Sequence, residues 1–466
     1  MIKSKKMQFI GLRNIENVPQ ISFLTKEQLF DLKVVGNVLP FRVNNYVVDE
    51  LIDWDNIPND PIFQLTFMQK GMISDDQYNR MADVLLKNED PEIIKQTAEE
   101  IRFELNPHPA GQMNLNVPKL DENPVAGIQH KYKETVLIFP SSGQTCHAYC
   151  TFCFRWAQFV GMNDLKFATD ESKIFQDYIK SNKDITDVLF TGGDPMVMSA
   201  KNLSAYIEPL LHPDFDHVQN IRIGTKSLSY WPYKYLTDKD ADDVLDLFGK
   251  VVKAGKHLAL MAHFNHWMEL KTEPVKEAIR KIRSTGAEIR TQSPLVKHVN
   301  DDSEVWAEMW KEQVKLGCIP YYFFIERNTG AKKYFEIPLY RAYEIYTNAH
   351  KQVSGLSRTA RGPSMSALPG KVNIEGITEI NNQKLFVLTM LQARNPEWAK
   401  QPFFAKYSET ATWLNELRPA FGENKFFYQD ELNKMIQASH GQMYFDVENN
   451  ESSMVDVIEE DNDEIM

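Results

Sequence analysis

The sequence predicts an α/β protein built from parallel βαβ units, with a helical region in front and an extension behind. Three observations predict it. Short apolar or β-branched runs recur at 136–139, 187–190, 221–224, 258–263, 288–292 and 319–325. Amphipathic helical patterns lie between them, at a repeat of about 30 to 50 residues that suits a strand, a crossover helix and their loops. The 466 residues are 43% hydrophobic and 11% aromatic, enough to bury a large core and to exclude global disorder. Right-handed crossovers join such units into a doubly wound sheet or a barrel, and both place chemistry at the C-terminal ends of the strands.

In chain order, residues 1–125 read as mainly helical: 74–86 and 92–105 carry apolar residues at three- and four-residue spacing. A stretch rich in Pro and Asn, 106–124, reads as a linker. The alternating strands and helices then occupy 126–352. In one helix Val244, Leu247, Phe248, Val251 and Val252 share a face; Thr237 and Asp240 form the expected capping box, and Gly255 is the stop. Another opens with Pro274, aligns Val275, Ala278, Ile279 and Ile282, and closes at Gly286. A C-terminal region follows over 353–445, aromatic-rich from 377 onward and expected to be ordered, with no role assigned by its sequence. No internal repeat is evident.

Lys plus Arg is 52 and Asp plus Glu is 64, a formal net charge of −12. Nine of the acids and none of the bases fall in 446–466, so the rest of the chain carries only −3 and the end is expected to be a disordered acidic tail. This balance gives no electrostatic support for non-specific binding to nucleic acid or to anionic membranes. No run approaches the roughly 20 apolar residues of a membrane helix, and no apolar stretch or cleavage site follows the basic N-terminus. Four cysteines cannot form a disulfide framework, so a reducing cytoplasm is expected.

Three of those four, Cys146, Cys150 and Cys153, fall within eight residues just after the first predicted strand. Thiolates so close together share a soft metal centre. A closed zinc site needs four protein ligands, commonly as two pairs, and no second pair exists; Cys318 stands alone. Three ligands leave one iron of a 4Fe-4S cluster open to substrate. Gly192-Gly193-Asp194-Pro195 ends the second strand. Alone it is ordinary turn chemistry; beside a ligand site, two residues without side chains let backbone carbonyls approach a ligand closely. His263 and His266 lack a His-Glu-x-x-His pattern and read as pocket or core histidines.

Cys146-His147-Ala148-Tyr149-Cys150-Thr151-Phe152-Cys153 resembles the radical S-adenosylmethionine (SAM) signature, with an aromatic residue before the last cysteine. The resemblance implies a partial (βα)6 barrel, which matches the six units above. It also implies a 4Fe-4S cluster that chelates SAM and, given one electron from a donor such as flavodoxin or ferredoxin, cleaves it to a 5′-deoxyadenosyl radical. Gly192, Gly193 and Asp194 would receive the cofactor's methionine ammonium, and Gln292 and 221–225 would line the cofactor.

Within that superfamily the chain resembles the lysine 2,3-aminomutase family from about Asp60 to Gly376. Asn59-Asp60-Pro61, His130-Lys131-Tyr132, Phe154-Arg155, His263-Phe264-Asn265-His266, Gln292-Ser293-Pro294-Leu295, Asn300-Asp301-Asp302, Pro320-Tyr321-Tyr322, Ser354-Gly355 and Pro369-Gly370-Lys371 carry the likeness by order and spacing. Lys371 lies seventeen residues after Ser354, the register of the family's lysine that binds pyridoxal 5′-phosphate (PLP) covalently. Arg155 matches the arginine for the substrate carboxylate, and its planar fork suits bidentate capture. Lys131 stands where the family has an arginine near PLP; a second such arginine has become Thr135, and two extra residues precede Cys146.

The departures bear on substrate. Lysine-acting members hold the distal ammonium with two aspartates, and the matching positions here are Ser364 and Arg327, or Glu326 after a one-residue shift. A distal ammonium left uncompensated in a dry site is costly, so lysine is not the expected substrate. An inward Arg327 favours an amino acid with an acidic or hydrogen-bonding side chain, resembling the logic of glutamate-type aminomutases. The family's C-terminal zinc cysteines have no counterpart, so zinc-linked assembly is not implied, although a homo-oligomer remains open. The resemblance thus implies a cytoplasmic, PLP-dependent 2,3-aminomutase acting on an amino acid other than lysine as its small-molecule substrate, with no nucleic-acid or membrane partner. A PLP-independent radical SAM epimerase, dehydrogenase or peptide-modifying enzyme is one alternative. An iron–sulfur electron carrier or regulatory protein is another.

Overall fold

A computed structural model of the chain describes residues 2–112, 115–121, 123–162, 168–169 and 172–439. The tail expected at 446–466 lies outside the described residues. Four helices lead: α1 (Lys26–Val38), α2 (Pro61–Thr66), α3 (Asp75–Leu86) and α4 (Pro91–Glu104). Their starts are written locally. Thr25 and Gln28, and Ser74 and Gln77, form reciprocal capping boxes on α1 and α3, while Asp60 and Asp90 cap helices that open with proline.

One 11-stranded sheet follows the chain in unbroken spatial order. It comprises β1 (Ile128–Tyr132), β2 (Thr135–Ile138), β3 (Asp187–Phe190), β4 (Asn220–Thr225), β5 (His257–His263) and β6 (Glu288–Leu295). It continues through β7 (Ile319–Ile325), β8 (Arg361–Ser366), β9 (Gly370–Ile380), β10 (Gln383–Ala393) and β11 (Phe403–Lys406). Strands β2 to β8 are parallel; β1 at one edge and β9 to β11 at the other are antiparallel. A doubly wound sheet reverses its strand order at a switch point. This one never does, so it curls in one direction as a partial barrel.

The crossovers are α5 (Ser172–Ser181), α6 (Ala200–Ile207), α7 (Ala241–Lys253), α8 (Glu273–Ser284), α9 (Ser303–Lys315) and α10 (Leu339–Lys351). The expected faces are inward: Val244, Leu247, Phe248 and Val251 on α7, and Val275, Ala278, Ile279 and Ile282 on α8, are buried. Each such side chain contributes about 1.5–3 kcal/mol relative to exposure. Gly255 and Gly286 take the left-handed conformation after α7 and α8, at φ 80° and 90°.

Three expectations are corrected. The Thr237–Asp240 capping box does not form: α7 starts at Ala241, and the Asp240 carboxylate instead accepts from Ala200 N and Lys234 Nζ. A buried lysine outcompetes a local cap for a carboxylate it can pair with. A seventh parallel strand, β8, closes the series, unannounced because Gly362, Pro363 and two serines give it no β-branched run. The stretch 106–124 is not a solvent-spanning linker. Asn106 donates to the Asn328 carbonyl, and Gln112 and Asn116 are buried against the barrel.

The two sheet edges meet through side chains. Lys131 on β1 donates to the carbonyl of Ala367, between β8 and β9. Arg394, just past β10, donates to Leu368 O (2.8 Å), Leu115 O (3.2 Å) and Asn116 Oδ1 (2.6 Å). Short strands Phe9–Ile10 and Val43–Asn44 pair in front. Among the described residues no helix is long and apolar enough to cross a membrane.

Candidate active site

The C-terminal ends of the parallel strands surround a cavity of about 300 Å³. The loop 146–153, which leaves β2, carries Cys146, Cys150 and Cys153 into its wall. The helical front holds that loop. Tyr149 N donates to Arg42 O (2.8 Å), Asn44 Nδ2 to His147 O (3.0 Å), and Thr151 N to Leu65 O (3.0 Å). Protein surrounds the three thiols, and their residual exposure opens to the cavity. Burial raises all three; Asp194 and then the neighbouring thiols add to it at Cys146, Lys226 and the Tyr230 hydroxyl oppose it at Cys150, and burial with Cys150 pushes Cys153 up to about 12. Three thiolates cannot coexist there without a cationic group between them. Among the described residues no three Cys, His, Asp or Glu side chains converge as one metal ion requires. Three cysteines on one short loop, open to the cavity, fit a cluster that leaves a position free for a further ligand.

Gly192-Gly193-Asp194 turns out of β3 against that loop. A Cβ on Gly193 would stand 2.3 Å from Thr145 O, so the glycine is needed for backbone–backbone contact with the cysteine loop as well as for any ligand. Asp194 N donates to Thr145 O at 2.7 Å. The Asp194 carboxylate accepts from Thr225 Oγ1 (2.7 Å), Met196 N (2.9 Å) and Lys226 N (2.9 Å). Burial opposes its charge, yet His147, Thr225 and Met196 hold it below the ordinary carboxylate range.

Arg155 and Arg327 flank the Phe154 ring, their guanidinium carbons 5.0 and 4.2 Å from its centroid. Arg155 donates to Gly192 O at 3.3 Å. Burial lowers Arg155 to about 9 and Arg327 to about 10, and Arg327 depresses Arg155 further by repulsion. Neither has an ion-pair partner among the described residues, and the Arg327 side chain has no hydrogen-bond partner there either. Beside them, Glu326 has both carboxyl oxygens buried and without a hydrogen-bond partner among the described residues; burial and then Glu336 push it well above the ordinary range, which favours the protonated acid.

Lys371 opens β9, opposite Ser366 on β8 and Gln392 on β10. Its Nζ lies 3.1 Å from Gln392 Oε1, 3.2 Å from the Tyr322 hydroxyl and 4.2 Å from the Tyr322 ring centroid. Burial, then Arg222, Arg361 and Arg327, lower it well below the usual lysine value. Lys131 is lowered likewise, by burial and then Arg394, Arg327 and Lys371. Gln292 donates to His263 Nε2 at 2.8 Å; burial and Lys226 lower His263 to about 4, so this ring accepts as the neutral form. His266 instead caps a turn, its Nδ1 accepting from Met268 N.

One cavity therefore gathers Cys146, Cys150, Cys153, Gly192, Gly193, Asp194, Arg155, Gln292, Arg327, Lys131 and Lys371. Ser364 is the exception. It is fully buried on β8 with its hydroxyl unpartnered, two residues and ~7 Å deeper than Ser366, which does line the cavity. Sequence reasoning passed over Gln392, Tyr322 and Lys226 as site residues. Tyr322 stood in a quoted motif without a role, whereas Gln392 carried no local signal.

No family profile matches the chain. A putative L-lysine 2,3-aminomutase from Aquifex aeolicus is 30% identical over 423 residues, covering 90% of this chain and 98% of the relative. Glutamate 2,3-aminomutase of Clostridioides difficile is 28% identical over 235 residues, and L-lysine 2,3-aminomutase of Acetoanaerobium sticklandii 28% over 234. Each of those two matches covers 50% of this chain and about half of the relative, 52% and 53%. Among solved structures, a radical SAM methyltransferase from Sphaerobacter thermophilus is 13% identical over 50% of this chain and 68% of that one, at a TM-score of 0.36, too slight a likeness to argue from.

Proposed function

The chain is a divergent member of the lysine 2,3-aminomutase family of radical SAM enzymes, and from that premise we propose that it moves the α-amino group of an amino acid other than lysine to the β-carbon. The observation that carries the reading is the meeting in one cavity of three thiols, two arginines without an ion-pair partner among the described residues, and Lys371, whose amine is held well below the usual lysine value. Cys146, Cys150 and Cys153 would hold the 4Fe-4S cluster, the Gly192–Gly193–Asp194 turn and Gln292 would border SAM, and Lys371 with Lys131 would hold PLP. When bound, these groups supply a hydrogen-abstracting radical and an electron-delocalising imine.

The chain's own part is capture, orientation and exclusion. Lys371 offers an amine whose neutral form burial and neighbouring cations favour, as nucleophilic capture of an aldehyde needs. Arg155 presents a fork for the α-carboxylate beside the cysteine loop. Lys131 brings its amine to the seam, where an anionic phosphate would restore its charge. Arg327, half-buried against the Phe154 ring and without an ion-pair partner among the described residues, calls for a second anion or a hydrogen-bond acceptor, which favours a substrate with an acidic or amide side chain. A lysine ammonium placed there would meet a guanidinium and a carboxyl whose charged form burial disfavours.

The test is anaerobic incubation of the reconstituted protein with SAM, a one-electron reductant, PLP and a panel of amino acids. The expected products are 5′-deoxyadenosine and a β-amino acid from an acidic or amide substrate. Lys371→Ala should lose the near-visible absorption that PLP gains on binding. Cleavage of SAM without any PLP binding would favour a PLP-independent radical enzyme, and no SAM cleavage at all would favour an electron carrier.

A further inference from the structure

The strand pairing that carries Lys371 brings in a residue from the part of the chain that had no assigned role. Gln392 on β10 stands directly opposite Lys371 on β9, so the two side chains share the inner face of the barrel. Gln392 lines the cavity, and its Oε1 accepts from Lys371 Nζ at 3.1 Å; the Tyr322 hydroxyl on β7 accepts at 3.2 Å. An ammonium has three N–H groups and no lone pair, whereas a neutral amine has two N–H groups and one lone pair. Among the described residues the Gln392 and Tyr322 side chains accept from Nζ, which suffices for both N–H groups of the neutral amine.

We propose that Gln392 is the positioning residue of Lys371: its amide oxygen fixes one N–H of the amine and leaves the nitrogen lone pair facing the cavity and an incoming aldehyde. The inference rests on the reading that Lys371 captures PLP. In that capture the lone pair attacks the aldehyde carbon, a C=N bond forms, and the aldehyde oxygen leaves as water with both protons from the amine.

The surroundings explain why the acceptor is an amide and not a carboxylate. Lys371 is faced by Arg222 on β4, by Asp187 on β3 (itself paired with Arg222 at 2.7 Å), by Arg361 on β8 and by Arg327 beyond β7. From the seam, Tyr132 and Lys131 of β1 face it. Cations outnumber the single carboxylate, which favours the uncharged amine. An anionic acceptor at 392 would draw a proton onto Nζ and remove the lone pair. Gln392 orients without charging.

The pH profile of Lys371 tests this without any cofactor. Brief reductive methylation of the full chain, mapped by peptide mass spectrometry, reports how much of the amine is neutral at each pH. Gln392→Glu is expected to raise the labelling midpoint by about one unit or more, a tenfold loss of reactive amine at a given pH. Gln392→Met keeps the bulk and removes the acceptor; its midpoint should not rise, but retention of added PLP should fall several-fold because the lone pair is no longer aimed. A packing role alone would move neither quantity in this pattern. An unchanged midpoint in Gln392→Glu together with undiminished PLP retention in Gln392→Met overturns the proposal. A shifted midpoint in a protein whose wild type retains no PLP leaves the positioning role standing and overturns the PLP reading instead.

Discussion

Lys371 shows how a residue's surroundings set its chemistry. In the unfolded chain its amine is protonated up to about 10.5, whereas burial and three arginines lower it well below that value in the fold. Between those two values the unfolded state binds more protons than the folded one, so this group makes stability rise with pH across the window. At neutral pH the lysine therefore costs stability. Lys371→Met is expected to raise stability at pH 7, with the gain vanishing as pH approaches 10.5; denaturant titrations at several pH values would check it. Arg327 carries the substrate prediction. With no carboxylate to pair with, it stands ready for one from outside, and Arg327→Gln is expected to weaken an acidic substrate by about 10- to 100-fold in KM. An unchanged KM would assign the guanidinium to another anion, such as the cofactor phosphate.

Among elements, the turn after β3 and the cap of α2 each answer to one atom. Gly193 admits the Thr145 carbonyl where a Cβ would stand 2.3 Å from it, and backbone of that kind cannot move aside cheaply. Gly193→Ala is expected to push the segment before Cys146 away and to reduce iron content after anaerobic reconstitution. At α2, Asp60 accepts from Phe63 N at 2.7 Å with one oxygen, while its other oxygen is buried and unpartnered. Burial raises its pKa from 3.8 to about 6, against the backbone hydrogen bonds that lower it. A folded value above the unfolded one means the fold takes up a proton, so this group's contribution is complete below about pH 4 and is lost as pH rises through 6. Asn is an equally good cap. Asp60→Asn should therefore stabilise by about 1–3 kcal/mol at pH 7 and by nothing at pH 4, read from thermal midpoints.

At the scale of the whole molecule, parts distant in sequence assemble one cavity. The helical front braces the cysteine loop through Arg42, Asn44 and Leu65, and Arg394 clips 115–116 to Leu368 across the seam between the sheet edges. Arg394→Ala removes three hydrogen bonds of a partly buried cation and is expected to lower stability by about 2–4 kcal/mol and to open 106–124 to proteolysis. What was legible in advance was local. The cysteine spacing, the Gly-Gly-Asp-Pro turn, the inward faces of α7 and α8 and the alternation of strand and helix are all written within a few turns of chain, where fixed geometry ties residue spacing to side-chain direction. The sequence by itself determined the alternation of strand and helix, the grouping of three cysteines on one short loop and the likeness to the family; the strand order that makes the sheet a partial barrel is a tertiary result. Only the tertiary structure decided that Ser364 lies beneath the cavity while Ser366 lines it, that burial raises Glu326, that Arg327 has no ion-pair partner among the described residues, and that Gln392 meets Lys371. Those outcomes depend on strand register and on burial. One residue of slip turns a side chain to the opposite face, and the charge a buried group carries depends on neighbours that no local spacing records.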